Sequence, residues 1–157
     1  FVLIVTGVLP DNGPFLRLRG WLASFFLGGC GKSLKLGRRV SIYNPRRVYL
    51  GQDVYIAYGC WFSATADVVI HDEVLVGPYV VFASGNHTRK DGKFRWGPPE
   101  AVPIELGSGC WIGAQCTVTA GARVGEGALV AANSVVRGTL TGGSVWAGSP
   151  AKMVKAL

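Results

Sequence analysis

The chain is poor in charge, in histidine and in long apolar runs, and each shortage removes a class of protein. Asp, Glu, Lys and Arg make up 16% of its 157 residues, where about a quarter is ordinary for a globular domain. Apolar residues reach 49%, so there is ample surface to bury and intrinsic disorder is excluded. The longest apolar stretches, residues 1–9 and 21–27, fall short of the roughly 18–20 residues that a spanning helix needs. Two histidines and four cysteines are present, with no C-x-x-C spacing and no histidine beside a cysteine. A zinc site is therefore not expected, and no metal is assigned. Cys30, Cys60, Cys110 and Cys116 read as free thiols of a reducing compartment. No signal-peptide arrangement marks the start. The chain opens on Phe1 rather than Met, which fits a piece of a longer protein.

Acids are scarcest in the first third. Residues 1–50 carry eight bases (Arg17, Arg19, Lys32, Lys35, Arg38, Arg39, Arg46 and Arg47) against the single acid Asp11, while residues 51–157 balance eight against eight. The whole net charge of +7 therefore belongs to the first third. These bases form no long run and no nucleic-acid motif accompanies them, so nucleic acid is not an expected partner. An anionic membrane surface or a phosphorylated ligand suits a compact basic patch better.

What the chain has in quantity is glycine, 23 residues without a collagen-like three-residue period. A six-residue period is present instead. Aliphatic or aromatic anchors recur at Leu50, Ile56, Phe62 and Val68, restart at Ile70, Val76 and Phe82, and resume at Leu106, Ile112, Val118, Val124, Val130 and Val136. A weaker set, Leu36, Val40, Ile42 and Val48, precedes them. Glycine often follows the anchor (Gly51, Gly77, Gly107, Gly113, Gly125), and a small or β-branched residue stands four places on. This pattern predicts an all-β parallel solenoid of hexapeptides. Anchors point inward, the glycine allows the corner, and the fifth position packs under the next coil. Strands spaced 8–12 residues apart, as in a sandwich, would not keep this register. The division expected is an apolar, basic helical segment over residues 1–35 and a solenoid over 36–157. Between Ile70 and Leu106 the spacing is too long for one coil, so the polar segment 88–103 is expected to leave it as a loop. His87 stands at its root.

The stretches S-G-N-H-T at 84–88, P-I-E-L-G-S-G-C-W-I-G-A at 103–114, V-A-A-N-S-V-V at 130–136 and A-G-S-P-A-K at 147–152 carry a resemblance to the hexapeptide-repeat acyltransferases. The branch is that of the galactoside, maltose and xenobiotic acetyltransferases. The segments 133–138, 44–48 and 55–61 look most like bacterial cell-surface polysaccharide O-acetyltransferases. The resemblance implies a left-handed β-helix working as a homotrimer, with sites between subunits and acetyl transfer from acetyl-CoA to a hydroxyl of a sugar or glycan.

By that resemblance His87 is the catalytic histidine. A histidine is chemically suited to the task, because an imidazole titrating near ~6.5 can take the proton of an attacking hydroxyl. The resemblance further implies that the N–H of Ala114 faces the developing oxyanion and that Trp111 walls the chamber near His87. Asn86 and Trp96 are expected on the acceptor side. Ala114 and Ala132 would meet the pantetheine arm, and Arg137, Lys152 and Lys155 the nucleotide end of acetyl-CoA. Gly138 stands where relatives often carry lysine. Ala57 and Thr65 replace an Asn and an Asp that hold sugar in the galactoside enzymes, so free galactosides and maltose are poor candidates. His71, behind an anchor, is expected on an exterior corner.

Residues 15–27 put Phe15, Leu18, Leu22, Phe25 and Phe26 on one helical face with Arg17 and Ser24 away from it. That face either packs on the coil end or lies on a membrane. The expected function is an acetyl-CoA-dependent O-acetyltransferase acting on a cell-surface polysaccharide precursor, in the cytoplasm or at the inner membrane face. The alternatives are a streptogramin-type antibiotic acetyltransferase and a non-catalytic glycan-binding β-helix.

Overall fold

The computed structural model describes residues 6–157. Its body is a three-sided prism of stacked coils. Each coil contributes a short strand to face A, then to face B, then to face C. Face A is a six-stranded parallel sheet running from Gly29–Cys30 to Thr139–Leu140. Face B begins at Lys35–Leu36 and holds seven strands, the last of which, Lys152–Ala156, folds back antiparallel on Ser144–Ala147. Face C has five strands, from Ser41–Tyr43 to Val135–Val136.

The six-residue anchors set the register. On face B, Leu36, Ile56, Val76, Ile112, Val130 and Trp146 lie directly over one another. Phe62 stacks on Phe82 at 4.5 Å in the interior. All the main anchors from Leu50 to Val136 are buried, as are the fifth-position residues Val54, Cys60, Val74, Cys110 and Cys116. Backbone bonds run along the axis: Gly37 N–H donates to the Ile56 carbonyl, Gly77 to Ile112 and Gly113 to Val130, each at 2.8 Å.

The corner glycines allow the corner through closeness rather than through a left-handed φ. A Cβ on Gly77 would sit 2.7 Å from Ala114 N, and one on Gly113 2.5 Å from Ala132 N. Close approach of the next coil requires these glycines. The left-handed turn comes two residues later, and often on a residue with a side chain: Asp53 (φ 52°), Glu73 (φ 59°), Gln115 (φ 58°) and Asn133 (φ 59°).

The first coil starts at Gly29–Cys30, inside the segment expected to be separate from the solenoid. Ahead of it, helix α1 (Gly13–Ser24) closes the prism's end. Asn12 caps it, its side chain accepting from Phe15 N–H, and Pro14 fits its first turn. The helix rests on the coil through Arg19, Gly20 and Ala23, followed by Leu27, all buried. The apolar face read from the sequence is therefore only partly inward. Phe15 and Leu22 are half-buried, whereas Leu18, Phe25 and Phe26 are exposed, as is Trp21. Two things decide this. Gly20 lets the helix come so near that a Cβ would lie 2.0 Å from the Leu34 carbonyl oxygen. Arg19 supplies a donor: its Nε–H bonds the Leu36 carbonyl at 2.8 Å, the acceptor that a coil beneath would satisfy in every later layer. The rest of the guanidinium meets the Leu9 carbonyl at 3.2 Å and the Asp11 carboxylate. Arg19 is thus not one of the surface charges expected of the basic first third.

Candidate active site

The excursion between faces C and A begins earlier than expected, as a two-stranded antiparallel arm. Gly85–His87 pairs with Pro99–Ala101, placing Asn86 opposite Glu100 and His87 opposite Pro99. Buried Ser84 anchors its root. The Ser84 hydroxyl lies 2.8 Å from the Ala66 carbonyl and 3.2 Å from that of Ser63, and it accepts from Ala66 N–H at 2.9 Å. Its own carbonyl accepts from Val102 N–H at 2.9 Å, tying the outgoing strand to the returning one. Gly85 follows because a Cβ there would lie 2.6 Å from Thr65 Oγ1. Ser84 is a positioning residue that sequence reasoning passed over, although it opens the quoted S-G-N-H-T stretch.

His87 and Asn86 are exposed, and no protein group among the described residues hydrogen-bonds the His87 ring. Trp96, at the far end of the arm, is 69% exposed with the Arg95 guanidinium 4.5 Å from its ring centroid. Arg137 follows the last strand of face C and shares the edge on which His87 is rooted.

The other candidates lie elsewhere. Trp111 occupies the middle of face B, half exposed, in an outward column with Tyr55, Leu75, Leu129 and Val145. Ala114 and Ala132 occupy the same corner between faces B and C in successive coils. The Ala114 carbonyl accepts from Asn133 N–H at 2.9 Å, whereas neither alanine's own N–H has an acceptor among the described residues. Lys152 pairs with Ala147 and Lys155 with Val145 on the folded-back strand. Neither lysine, nor Arg137, forms an ion pair within the described residues.

The candidate residues therefore fall into two separate groups on one chain, two candidate half-sites. His87, Asn86, Trp96 and Arg137 belong to the edge between faces C and A. Trp111, Ala114, Ala132 and the lysines belong to the opposite face B and its border with C. His71, exposed as expected, lies 3.2 Å from Glu105, which also bonds Arg123. These three line a groove of about 470 Å³ that holds none of the candidate residues.

The cysteines are free, and burial pushes the Cys60 thiol up to about 11 and Cys110 to about 12. Burial raises Cys30 and Cys116 as well. Thiols held protonated near neutral pH are not nucleophiles.

Residues 103–138, which span Trp111, Ala114 and Ala132, match the bacterial transferase hexapeptide family (six repeats). A putative lipopolysaccharide biosynthesis O-acetyl transferase of Escherichia coli (strain K12) is 30% identical over 133 residues, covering 76% of this chain and 66% of that protein. The chain belongs to the hexapeptide-repeat transferases.

Among solved structures, a hexapeptide-repeat acetyltransferase of Vibrio cholerae O1 biovar eltor, complexed with acetyl coenzyme A, superposes with a TM-score of 0.87. The two are 22% identical over 99% of this chain and 83% of that one. A galactoside acetyltransferase in complex with coenzyme A superposes at 0.88, with 19% identity over 99% of this chain and 76% of that one. The likeness shows the fold, so this hexapeptide-repeat transferase is a left-handed parallel β-helix. It spans between 52% and 66% of the length of the curated relatives it matches.

Proposed function

We propose that this transferase moves an acetyl group from acetyl-CoA to a hydroxyl of a sugar in a cell-surface glycan precursor. The observation that carries the reading is the exposed His87, held on a short strand whose root Ser84 fixes in the core. The family and the lipopolysaccharide-biosynthesis relative support the reaction class and the acceptor.

In this reading the acceptor oxygen attacks the thioester carbonyl carbon while His87 takes the hydroxyl proton. Charge gathers on the carbonyl oxygen, where the free N–H of Ala114 is its donor. Collapse breaks the C–S bond, and the proton held by His87 passes to the departing CoA thiolate. Ala132 meets the pantetheine arm, while Arg137, Lys152 and Lys155 attract the phosphates. Asn86 and Trp96 face the acceptor.

The two half-sites meet when the His87 edge of one copy faces the B face of another. A closed ring of three gives every copy both neighbours, and the outward apolar column beside Trp111 suits such a contact.

The test is release of CoA thiol from acetyl-CoA with a panel of nucleotide sugars, oligosaccharides and streptogramins. His87→Ala is expected to lower turnover by about 10²–10⁴-fold with acetyl-CoA affinity nearly unchanged. Near-normal turnover in a folded His87→Ala protein defeats the mechanism. Turnover with antibiotics alone defeats the glycan assignment.

A further inference from the structure

Helix α1 closes the prism with the face that carries Arg19, Gly20 and Ala23, which leaves its aromatic face outward. Trp21 is 59% exposed, Phe25 60% and Phe26 53%, and Leu18 continues the same stripe. Trp21 and Phe25 meet edge to face at 5.2 Å and form one apolar ridge. Beside it, between the helix and the first corner, runs a groove of about 390 Å³ lined by Arg17, Trp21, Ser24 and Lys32 and by no acid. Of the acids near this end, Asp11 is engaged by Arg19 and Arg38, and Asp53 stands one coil up, its N–H bonding the Lys32 carbonyl at 2.9 Å. Cations remain in excess here, since neither Arg17 nor Lys32 forms an ion pair among the described residues.

We infer that this end of the prism docks on an anionic phospholipid surface: the Trp21–Phe25 ridge enters the interface, and a headgroup phosphate is received between Arg17 and Lys32. Aromatic rings with a wet and a dry side favour the headgroup level of a bilayer, and exposed cations add attraction to acidic lipid. Among the described residues no helix is long and apolar enough to cross a membrane.

The docking gives the proposed active site a place, and in this respect it rests on the reading of His87 given above. The helix ends at the edge between faces C and A, where Gly28 N–H bonds the Pro45 carbonyl at 3.1 Å and Arg46 reaches the Leu27 carbonyl at 3.5 Å. His87 is rooted on that same edge two coils higher. Coils stack at about 4.8 Å, which puts the root of the histidine strand about 10 Å above the docked end. A sugar carried on a lipid phosphate projects to such a height, whereas a sugar free in solution gains nothing from it.

The experiment is sedimentation of the whole chain with vesicles of phosphatidylcholine alone and of phosphatidylcholine with one third phosphatidylglycerol, at low and high salt and without acetyl-CoA. Binding is expected only with phosphatidylglycerol and is expected to weaken with salt. Arg17→Ser and Lys32→Ser should each lower partitioning about fivefold, and Trp21→Ser with Phe25→Ser about tenfold or more. These positions are exposed, and an unchanged melting temperature checks each fold. Equal binding to both vesicles, or to neither, overturns the docking. So does a smaller oligomer in the Trp21→Ser, Phe25→Ser protein, which would make the ridge a contact between copies. Turnover on soluble acceptors is read separately. Loss of vesicle binding with turnover retained refutes the docking alone, and vesicle binding by a chain without turnover refutes the enzyme reading alone.

Discussion

Replacing Arg19 with methionine tests whether the solenoid's first layer is closed by one buried guanidinium. The side chain is 1% exposed, its Nε–H bonds the Leu36 carbonyl at 2.8 Å, and its remaining nitrogens hold the Leu9 carbonyl and the Asp11 carboxylate. Methionine fills most of the volume and supplies no donor. The Leu36 carbonyl is then buried without a partner, a loss of about 1–3 kcal/mol. Asp11, 25% exposed, loses its main partner but regains water, which adds roughly 1 kcal/mol. Arg19→Met should therefore destabilise the fold by about 2–4 kcal/mol, a large part of a typical margin of about 5–15 kcal/mol. Arg19→Lys keeps one charged donor and should lose about half as much. The assay is urea denaturation followed by circular dichroism, comparing Arg19→Met with the exposed control Arg17→Met. A midpoint for Arg19→Met equal to that of the control refutes the capping role.

Lys152→Ala and Lys155→Ala should raise KM for acetyl-CoA and leave kcat nearly unchanged, because the lost binding is shared by ground and transition states. An equal rise with a dephospho-CoA thioester shows that neither lysine reads the 3′-phosphate. Gly113→Ala drives a Cβ to 2.5 Å from Ala132 N and should cost about 1–3 kcal/mol in chemical denaturation; an unchanged midpoint shows that the coils part without strain. The raised thiols Cys60 and Cys110 give a pH effect of known sign. In the unfolded chain they ionise near 9, and in the fold near 11 and 12. Their contribution is intact below pH 9 and is lost as pH rises through that window, the unfolded state releasing its protons first. A Cys60→Ala, Cys110→Ala protein should lose less stability than the parent over this range in a urea series.

The solenoid was legible because its core repeats a single chemical decision, an apolar side chain every six residues, that burial enforces in each coil. Leu50, Ile56, Val76, Ile112 and Val130 all fall where the period puts them. The helix was less legible. Its inward face is chosen by two needs that hydrophobic periodicity does not register: the closeness that Gly20 permits, and a carbonyl at Leu36 that wants a donor. The corner glycines were legible as corners, but not which property of glycine each corner uses. Steric exclusion by the next coil and a left-handed φ both select glycine, and only coordinates tell them apart. At the site, motif residues were found, but their separation onto opposite sides of one chain depends on which face each coil position joins. The part of Ser84 was missed because a lone serine in a sequence carries no sign of being buried beneath a neighbouring strand.

The two closed ends of the prism have a bearing on assembly. Stacked coils with a strand spacing near 4.8 Å are, in effect, a short length of cross-β fibre, and such a stack grows wherever its terminal backbone groups are open. Here one end of face B is occupied by the Arg19 guanidinium and the body of α1, and the other by the reversed strand Lys152–Ala156. An antiparallel strand cannot template the next parallel coil in register, and a helix offers no strand edge at all. These two elements therefore act as stoppers against end-to-end polymerisation. A chain cut back to the bare coils would be expected to elongate into filaments rather than to unfold.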